Sequence, residues 1–253
     1  MNLTIDINAD VGERPNALLD GTEEAIIKLI SSANIACGGH AGDQTTMERV
    51  IQLCAKFGVV IGAHPGYPDR ANFGRHEMSM SSEEIQATVF EQVSKLGKKA
   101  KTFNVELQHV KPHGALYNAA TRDKSVAEAI GHGVAKWSRD LILVGLAGST
   151  MLKVWENWGF RVAAEAFADR VYESDGALRS RTKQDAMMTD PAQACQQAIS
   201  IIKDQKVISG DGIEVPLHAR TICVHSDTPN AAEILSRLRR RLKDEGIVVE
   251  RFV

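Results

Sequence analysis

The chain of 253 residues is 43% hydrophobic and 25% charged, with a formal net charge of -2, which fits a globular protein with a substantial core and gives no electrostatic footprint for nucleic acid, which calls for a basic face. Its four cysteines, Cys37, Cys54, Cys195 and Cys223, form no C-x-x-C pair, against a zinc ribbon or disulfide framework and in favour of a reducing compartment. No leader pattern opens the sequence and no run approaches about 18 apolar residues, so a cytoplasmic protein without a membrane span is expected.

Short β-branched runs recur along the chain: "LTIDIN", "ANIAC", "GVVIGA", "QHVKPH", "LILVGLA", "RVAAEAF", "TICVHS" and "GIVVERF". Helical patterns lie between most of them. Met47, Val50, Ile51, Cys54 and Phe57 share one face of a helix that Asp43 can start and Gly58 can end. Ser81 and Glu84 make a capping box for a helix running towards Lys101. Asp190-Pro191 and Thr228-Pro229 each read as a cap followed by proline at the first helical position. "VISGDGIEV" predicts a hairpin with Asp211-Gly212 at its tip. The basic run from Arg237 to Lys243 reads as a solvated helix face.

Strand then helix, repeated about seven times, means parallel strands joined by crossover helices. The expected fold is therefore α/β, one domain over residues 1–253, closed as a (β/α) barrel. A doubly wound open sheet is the alternative by pattern alone.

Ionisable residues gather where these runs end. Asp10 and Glu13 follow the first, His40 and Asp43 the second, and His64 and Asp69 the third. Lys111, His113 and Tyr117 follow the fourth; Glu165, Asp169, Arg170 and Tyr172 the sixth; His225 and Asp227 the seventh. The carboxyl edge of the strands is where α/β folds place their active sites. Asp10, His40, His64, His113 and His225 would converge only if the barrel closes. Aspartate with imidazoles suits a divalent metal, and equally a metal-free set of acids and bases near neutral pH. Lys111, Arg170 and Arg181 add capacity for a carboxylate or phosphate. His76, His109, His132 and His218 lack such a setting and read as structural. There is no G-x-x-x-x-G-K-[ST] loop and no G-x-S-x-G elbow; "GLAGST", from Gly145, is a weak phosphate signal.

The segments "DINADVGE", "NIACGGHAGD", "GAHPGYPD", "KPHGALYN", "EAFADRVY" and "VHSDTP" resemble, in order from Asp6 to about Pro229, the signature blocks of the LamB/YcsF family. Two positions depart from that pattern: His76 stands where a second arginine is usual, and Asp185 where glycine is. The resemblance implies a seven-stranded barrel of the glycoside hydrolase/deacetylase type. It implies ATP-dependent cleavage of 5-oxo-L-proline to L-glutamate, with ADP and phosphate as co-products, by the A component of a 5-oxoprolinase that works with partner subunits B and C. ATP, with Mg or a site-bound divalent ion, is the expected cofactor.

On this basis the expected catalytic set is Asp10, His40, His64, Lys111, His113, Glu165, Asp169 and His225. Glu13, Asp43, Tyr117, Arg170, Arg181 and Asp227 are expected to bind substrate or phosphate, and Asp10, His40 and His64 are the expected metal ligands. Two other readings stand beside this one: a metal-dependent deacetylase-type hydrolase of amides or carbohydrates, and a non-catalytic binding component of a multi-subunit enzyme. Homo-oligomerisation is left open by the sequence.

Overall fold

Alternation within the first strand sets up the architecture. In the computed structural model, which describes residues 3–252, β1 (Thr4–Val11) sends Ile5, Ile7, Ala9 and Val11 into the hydrophobic core under the helices. Asp6, Asn8 and Asp10 take the opposite face, as a strand's period of two requires. Parallel pairing then runs through β2 (Ser32–Ala36), β3 (Val60–His64), β4 (Leu107–Val110), β5 (Ile142–Leu146) and β6 (Val162–Phe167). A seventh strand, placed below, pairs with both β6 and β1, and its Thr221, Ile222 and Cys223 lie opposite Asp6, Ile7 and Asn8. That last pairing closes the barrel and excludes the doubly wound alternative.

The crossovers are helical: α1 (Pro15–Leu19) and α2 (Thr22–Ile27), α3 (Gln44–Phe57), α4 (Ser82–Lys101), α5 (Gly114–Arg122) and α6 (Lys124–Ala135), then α7 (Thr150–Asn157). After β6 come α8 (Pro191–Asp204), the antiparallel hairpin β7 (Lys206–Ile208) and β8 (Glu214–Pro216), and the closing strand β9 (Thr221–Cys223). The hairpin follows the expected register, with Asp211-Gly212 in its turn. The chain ends with α9 (Ala231–Asp244) and β10 (Val248–Val249), which pairs with Thr4 and Ile5. No helix among the described residues is long and apolar enough to cross a membrane.

Helix ends follow local chemistry. Asp43 accepts from the Thr46 amide at the start of α3, Ser81 and Glu84 form a reciprocal capping box on α4, and Asp190 caps α8 with Pro191 behind it. Each such cap contributes about 1 kcal/mol. Thr228 departs from expectation: α9 starts at Ala231, after Asn230 in left-handed conformation. The Thr228 hydroxyl donates instead to buried Asp169 at 2.5 Å, so it is not free to cap.

The barrel interior is polar, where apolar layers are the rule in (β/α)₈ barrels. At one level Asp6 accepts hydroxyls from Ser31, Ser32 and Thr221. Burial outweighs those bonds and pushes its pKa up to about 6. Above it, the Asn34 amide donates to Asn8 and Asp10 at 2.8 Å, and its oxygen faces His109 Nε2 at 2.8 Å. Burial takes His109 down to about 3, so it is neutral and structural. Phe252 packs with Ile142, Val144 and Ala163 beside it.

Candidate active site

Four side chains from four successive strand ends meet above this polar interior. Glu13 follows β1, His40 follows β2, His64 ends β3 and His113 follows β4, and all four are buried. His40 Nε2 lies 2.9 Å from Glu13 Oε1, His113 Nδ1 lies 3.2 Å from it and His64 Nε2 lies 3.7 Å from it. His113 Nδ1 and His64 Nε2 are 3.0 Å apart. The rings of His40 and His113 stack at 3.5 Å. Two glycines make the room: a Cβ on Gly66 would come within 2.8 Å of His40 Nδ1, and one on Gly74, at φ +63, within 2.7 Å of His40 Cβ.

The outer nitrogens decide what the inner ones do. His64 Nδ1 lies 2.7 Å from the Lys111 carbonyl and His113 Nε2 lies 2.8 Å from the Phe73 carbonyl. A carbonyl only accepts, so both outer nitrogens carry hydrogen and the inner lone pairs of His64 and His113 face each other. Either a shared proton or a cation relieves that repulsion. Metal-binding histidines show the same outer bond to a backbone carbonyl. Zinc–ligand distances of about 2.0–2.1 Å in a tetrahedron place ligand atoms about 3.3 Å apart, close to the separations here. The donor set of three imidazoles and one carboxylate fits a divalent ion.

The charges are held in place by strong mutual perturbation. Burial alone would raise Glu13, but the neighbouring His113 and His40 rings bring it well below the ordinary carboxylate range. Burial, with His113 nearby, takes His40 down to about 3. His64 moves the other way: burial would lower it, and Asp10 and Glu13 together raise it.

Beside the cluster lies a second buried network. Lys111 Nζ sits 2.9 Å from Asp10 Oδ1, 2.8 Å from Glu165 Oε1 and 3.2 Å from Cys223 Sγ. It leaves the end of β4 and reaches β1, β6 and β9 across the barrel. Despite burial, Asp10, Cys223 and Glu165 raise its pKa well above the usual lysine value, so it is a fixed cation. The Tyr117 hydroxyl donates to Glu165 Oε2 at 2.9 Å. Asp169 is fully buried and faces His225 Nδ1 at 3.0 Å while accepting its backbone amide. His225 also stacks on Phe167 at 5.1 Å. Its ring is thereby oriented, with Nε2 left for other partners.

Of the residues expected as metal ligands, His40 and His64 stand in the four-donor cluster, joined by His113 and by Glu13, a residue expected to bind substrate. Asp10 stands apart, grouped with Cys223 and His225 and 3.5 Å from His64 Nε2. Asp43 is a helix cap at the rim. Arg170, expected to take an anion, is buried and donates to the Arg179 carbonyl at 2.6 Å, so it braces its own loop. Arg181 and Asp227 pair with each other at 3.0 Å, and Arg75 joins the same carboxylate. Glu23 carries no signal in the sequence because nothing but a helix pattern surrounds it. It is buried under the Gly12 amide, which donates to it, and burial raises its pKa to about 7.

Known proteins share both the sequence and the fold of this chain. The family model described as LamB/YcsF family matches residues 5–253. The chain is 50% identical over 248 residues to a protein of Chloroflexus aurantiacus named as the A subunit of 5-oxoprolinase, covering 98% of each. A protein of the same name from Clostridium beijerinckii is 44% identical, with 97% of this chain and 96% of that one covered. Among solved structures, a lactam utilization protein from Thermus thermophilus superposes with a TM-score of 0.91 at 40% identity, over 99% of this chain and 100% of that one. A deacetylase solved with its substrate shares the fold alone, at 14% identity and a TM-score of 0.50 over 98% of this chain and 88% of that one. With a family model spanning nearly the whole sequence and half of all positions shared with a full-length relative, the chain belongs to the LamB/YcsF family.

Proposed function

We propose that this chain is the A component of an ATP-dependent 5-oxoprolinase and that it supplies the centre at which the lactam is opened. The observation that carries the proposal is the convergence of Glu13, His40, His64 and His113 beside the Lys111 and His225 networks, in a chain whose relatives are named as the A subunit of 5-oxoprolinase. A scaffold has no need of so many buried ionisable groups in one place, since each costs free energy to desolvate.

In this reading Glu13 and the three histidines hold a divalent ion, which when bound acts as a Lewis acid. His225, its Nδ1 fixed by Asp169, takes the proton of the attacking water at Nε2, as in other carboxylate-oriented histidines. Lys111 keeps its proton and offers a fixed positive charge to oxygen in the site, with Asp10 and Glu165 holding it in position. Tyr117 orients Glu165 and excludes water from its far side. ATP phosphorylates the amide oxygen, which opens the ring carbonyl carbon to attack by water; the ring nitrogen then leaves as the amine and the acyl phosphate is hydrolysed to glutamate and phosphate. Partner subunits B and C complete the nucleotide chemistry, in keeping with a sequence that has no phosphate-binding loop of the Walker type.

The test is ATP-dependent release of glutamate from 5-oxoproline by the chain alone, by subunits B and C, and by the mixture. Turnover in the mixture only, lost in His225→Gln and Glu13→Gln, is the expected result. Full turnover by B and C without this chain would refute the assignment. The donor set also favours a second reading, an amide hydrolase that needs a metal and no ATP; glutamate release unaffected by omitting ATP would select it.

A further inference from the structure

The rim of the barrel carries a concentration of guanidinium groups that the metal cluster and the buried networks leave unused. Arg14 comes from the loop after β1, Arg75 from the loop after β3 and Arg181 from the loop after β6. All three converge on Ser226 and Asp227 in the loop after β9. Arg75 Nη2 lies 2.5 Å and Arg181 Nη1 3.0 Å from the same oxygen, Asp227 Oδ2. Arg14 donates through Nη2 to the Ser226 carbonyl, while its Nε is buried without a partner. Three guanidiniums thus gather where the loop offers one carboxylate.

From this juxtaposition we propose that Arg75 and Arg181, flanked by Arg14, form an oxyanion seat for the ligand's carboxylate or phosphoryl group, and that Asp227 is an internal counter-ion the ligand's anion joins or displaces. The proposal rests on the active site described above, because the seat is built onto it. The Arg75 guanidinium stacks on the Phe73 ring at 4.9 Å, and that ring lies 5.5 Å from both His40 and His113. Phe73 also accepts from His113 through its carbonyl. One aromatic side chain thus separates the seat from the four-donor cluster.

Charge and geometry both favour an anion here. Arginine presents a planar fork of donors matched to carboxylate and phosphate oxygens, yet Asp227 engages Arg75 and Arg181 through a single oxygen, leaving most of their N–H groups free. Buried Arg170 adds to the positive field: burial first, and then Arg181 nearby, lower its pKa to about 10. Asp227 stays ionised, since His225, Arg181 and Arg75 overcome the burial that would raise it. Asp169 is already engaged by His225 and Thr228.

The test uses calorimetric titration of the full chain, without partner subunits or ATP, with three probes: 5-oxoproline, pyrrolidin-2-one and inorganic phosphate. Pyrrolidin-2-one keeps the lactam ring and lacks the carboxylate. Arg75→Gln and Arg181→Gln are partly exposed and should fold normally, as circular dichroism would verify. Both are expected to weaken 5-oxoproline at least 10-fold while leaving pyrrolidin-2-one unchanged. Asp227→Asn is expected to tighten 5-oxoproline several-fold, the opposite direction from a merely structural loss. A loss confined to phosphate would support the seat and assign it to a phosphoryl group. Unchanged affinity of both arginine variants for both anions, or no binding of either anion by the wild type, overturns the proposal. Arginine-dependent binding without turnover in the reconstituted mixture would instead sink the functional reading and leave the seat standing.

Discussion

Loading the Glu13–His40–His64–His113 cluster with zinc should raise the thermal stability of the chain by an amount that can be worked out beforehand. An ion that binds only the folded state at 100 times its Kd stabilises by about 2.7 kcal/mol. For a chain of this size each kcal/mol moves Tm by roughly 2–4 °C, so a rise of about 5–10 °C over a chelator-treated sample is expected. Glu13→Gln keeps the shape and removes the one anionic donor, which lies 2.9 Å from His40 Nε2 and 3.2 Å from His113 Nδ1. A loss of about 100-fold in affinity, at the upper end of what even outer-shell changes cause, would leave the ion near its Kd. The remaining gain would then be only about 0.4 kcal/mol, or a degree or two. Differential scanning calorimetry at matched free zinc reads both quantities. The pH dependence has a definite sign: His64 has a raised pKa, so zinc must displace its proton, and the Tm gain should shrink as pH falls below neutrality. Equal Tm in zinc and chelator for the wild type, or an undiminished gain in Glu13→Gln, would refute the assignment of these residues as a metal site.

Three further outcomes are expected. Gly66→Ala places a methyl 2.8 Å from His40 Nδ1 and 3.2 Å from His113 Cβ, so zinc affinity should fall about 10- to 100-fold with the circular dichroism spectrum intact; unchanged affinity would show that the imidazoles are not held as described. Asp6, at about 6 against an ordinary 3.8, favours folding fully below about pH 4, and that contribution is lost as pH rises through 6. Two pKa units correspond to about 3 kcal/mol, so Asp6→Asn should gain roughly that much relative to wild type between pH 4 and pH 8 in urea unfolding, and a gap that does not move with pH would contradict it. Asp169→Asn should lower kcat in the reconstituted mixture far more than KM, because it disturbs the orientation of His225; a change in KM alone would place Asp169 outside the catalytic step.

Much of the molecule is written locally. The alternation Ile5-Asp6-Ile7-Asn8 already separates a helix-facing side from an interior side. The caps at Asp43, Ser81 and Asp190 depend on residues three or fewer apart, and the gathering of ionisable groups at strand ends marks the edge of the candidate site before any tertiary contact is known. Local spacing has no access to the angle at which one strand end faces another. Closure between β9 and β1, with the register that goes with it, put Glu13 rather than Asp10 among the three imidazoles. Closure also brought Lys111 across the barrel to Asp10 and Glu165. It engaged the Thr228 hydroxyl with Asp169 and turned Arg170 onto its own loop, while collecting Arg75 and Arg181 on Asp227. The reason is geometric: sequence determines which end of a strand a residue occupies, whereas meeting across a barrel depends on the closed sheet as a whole.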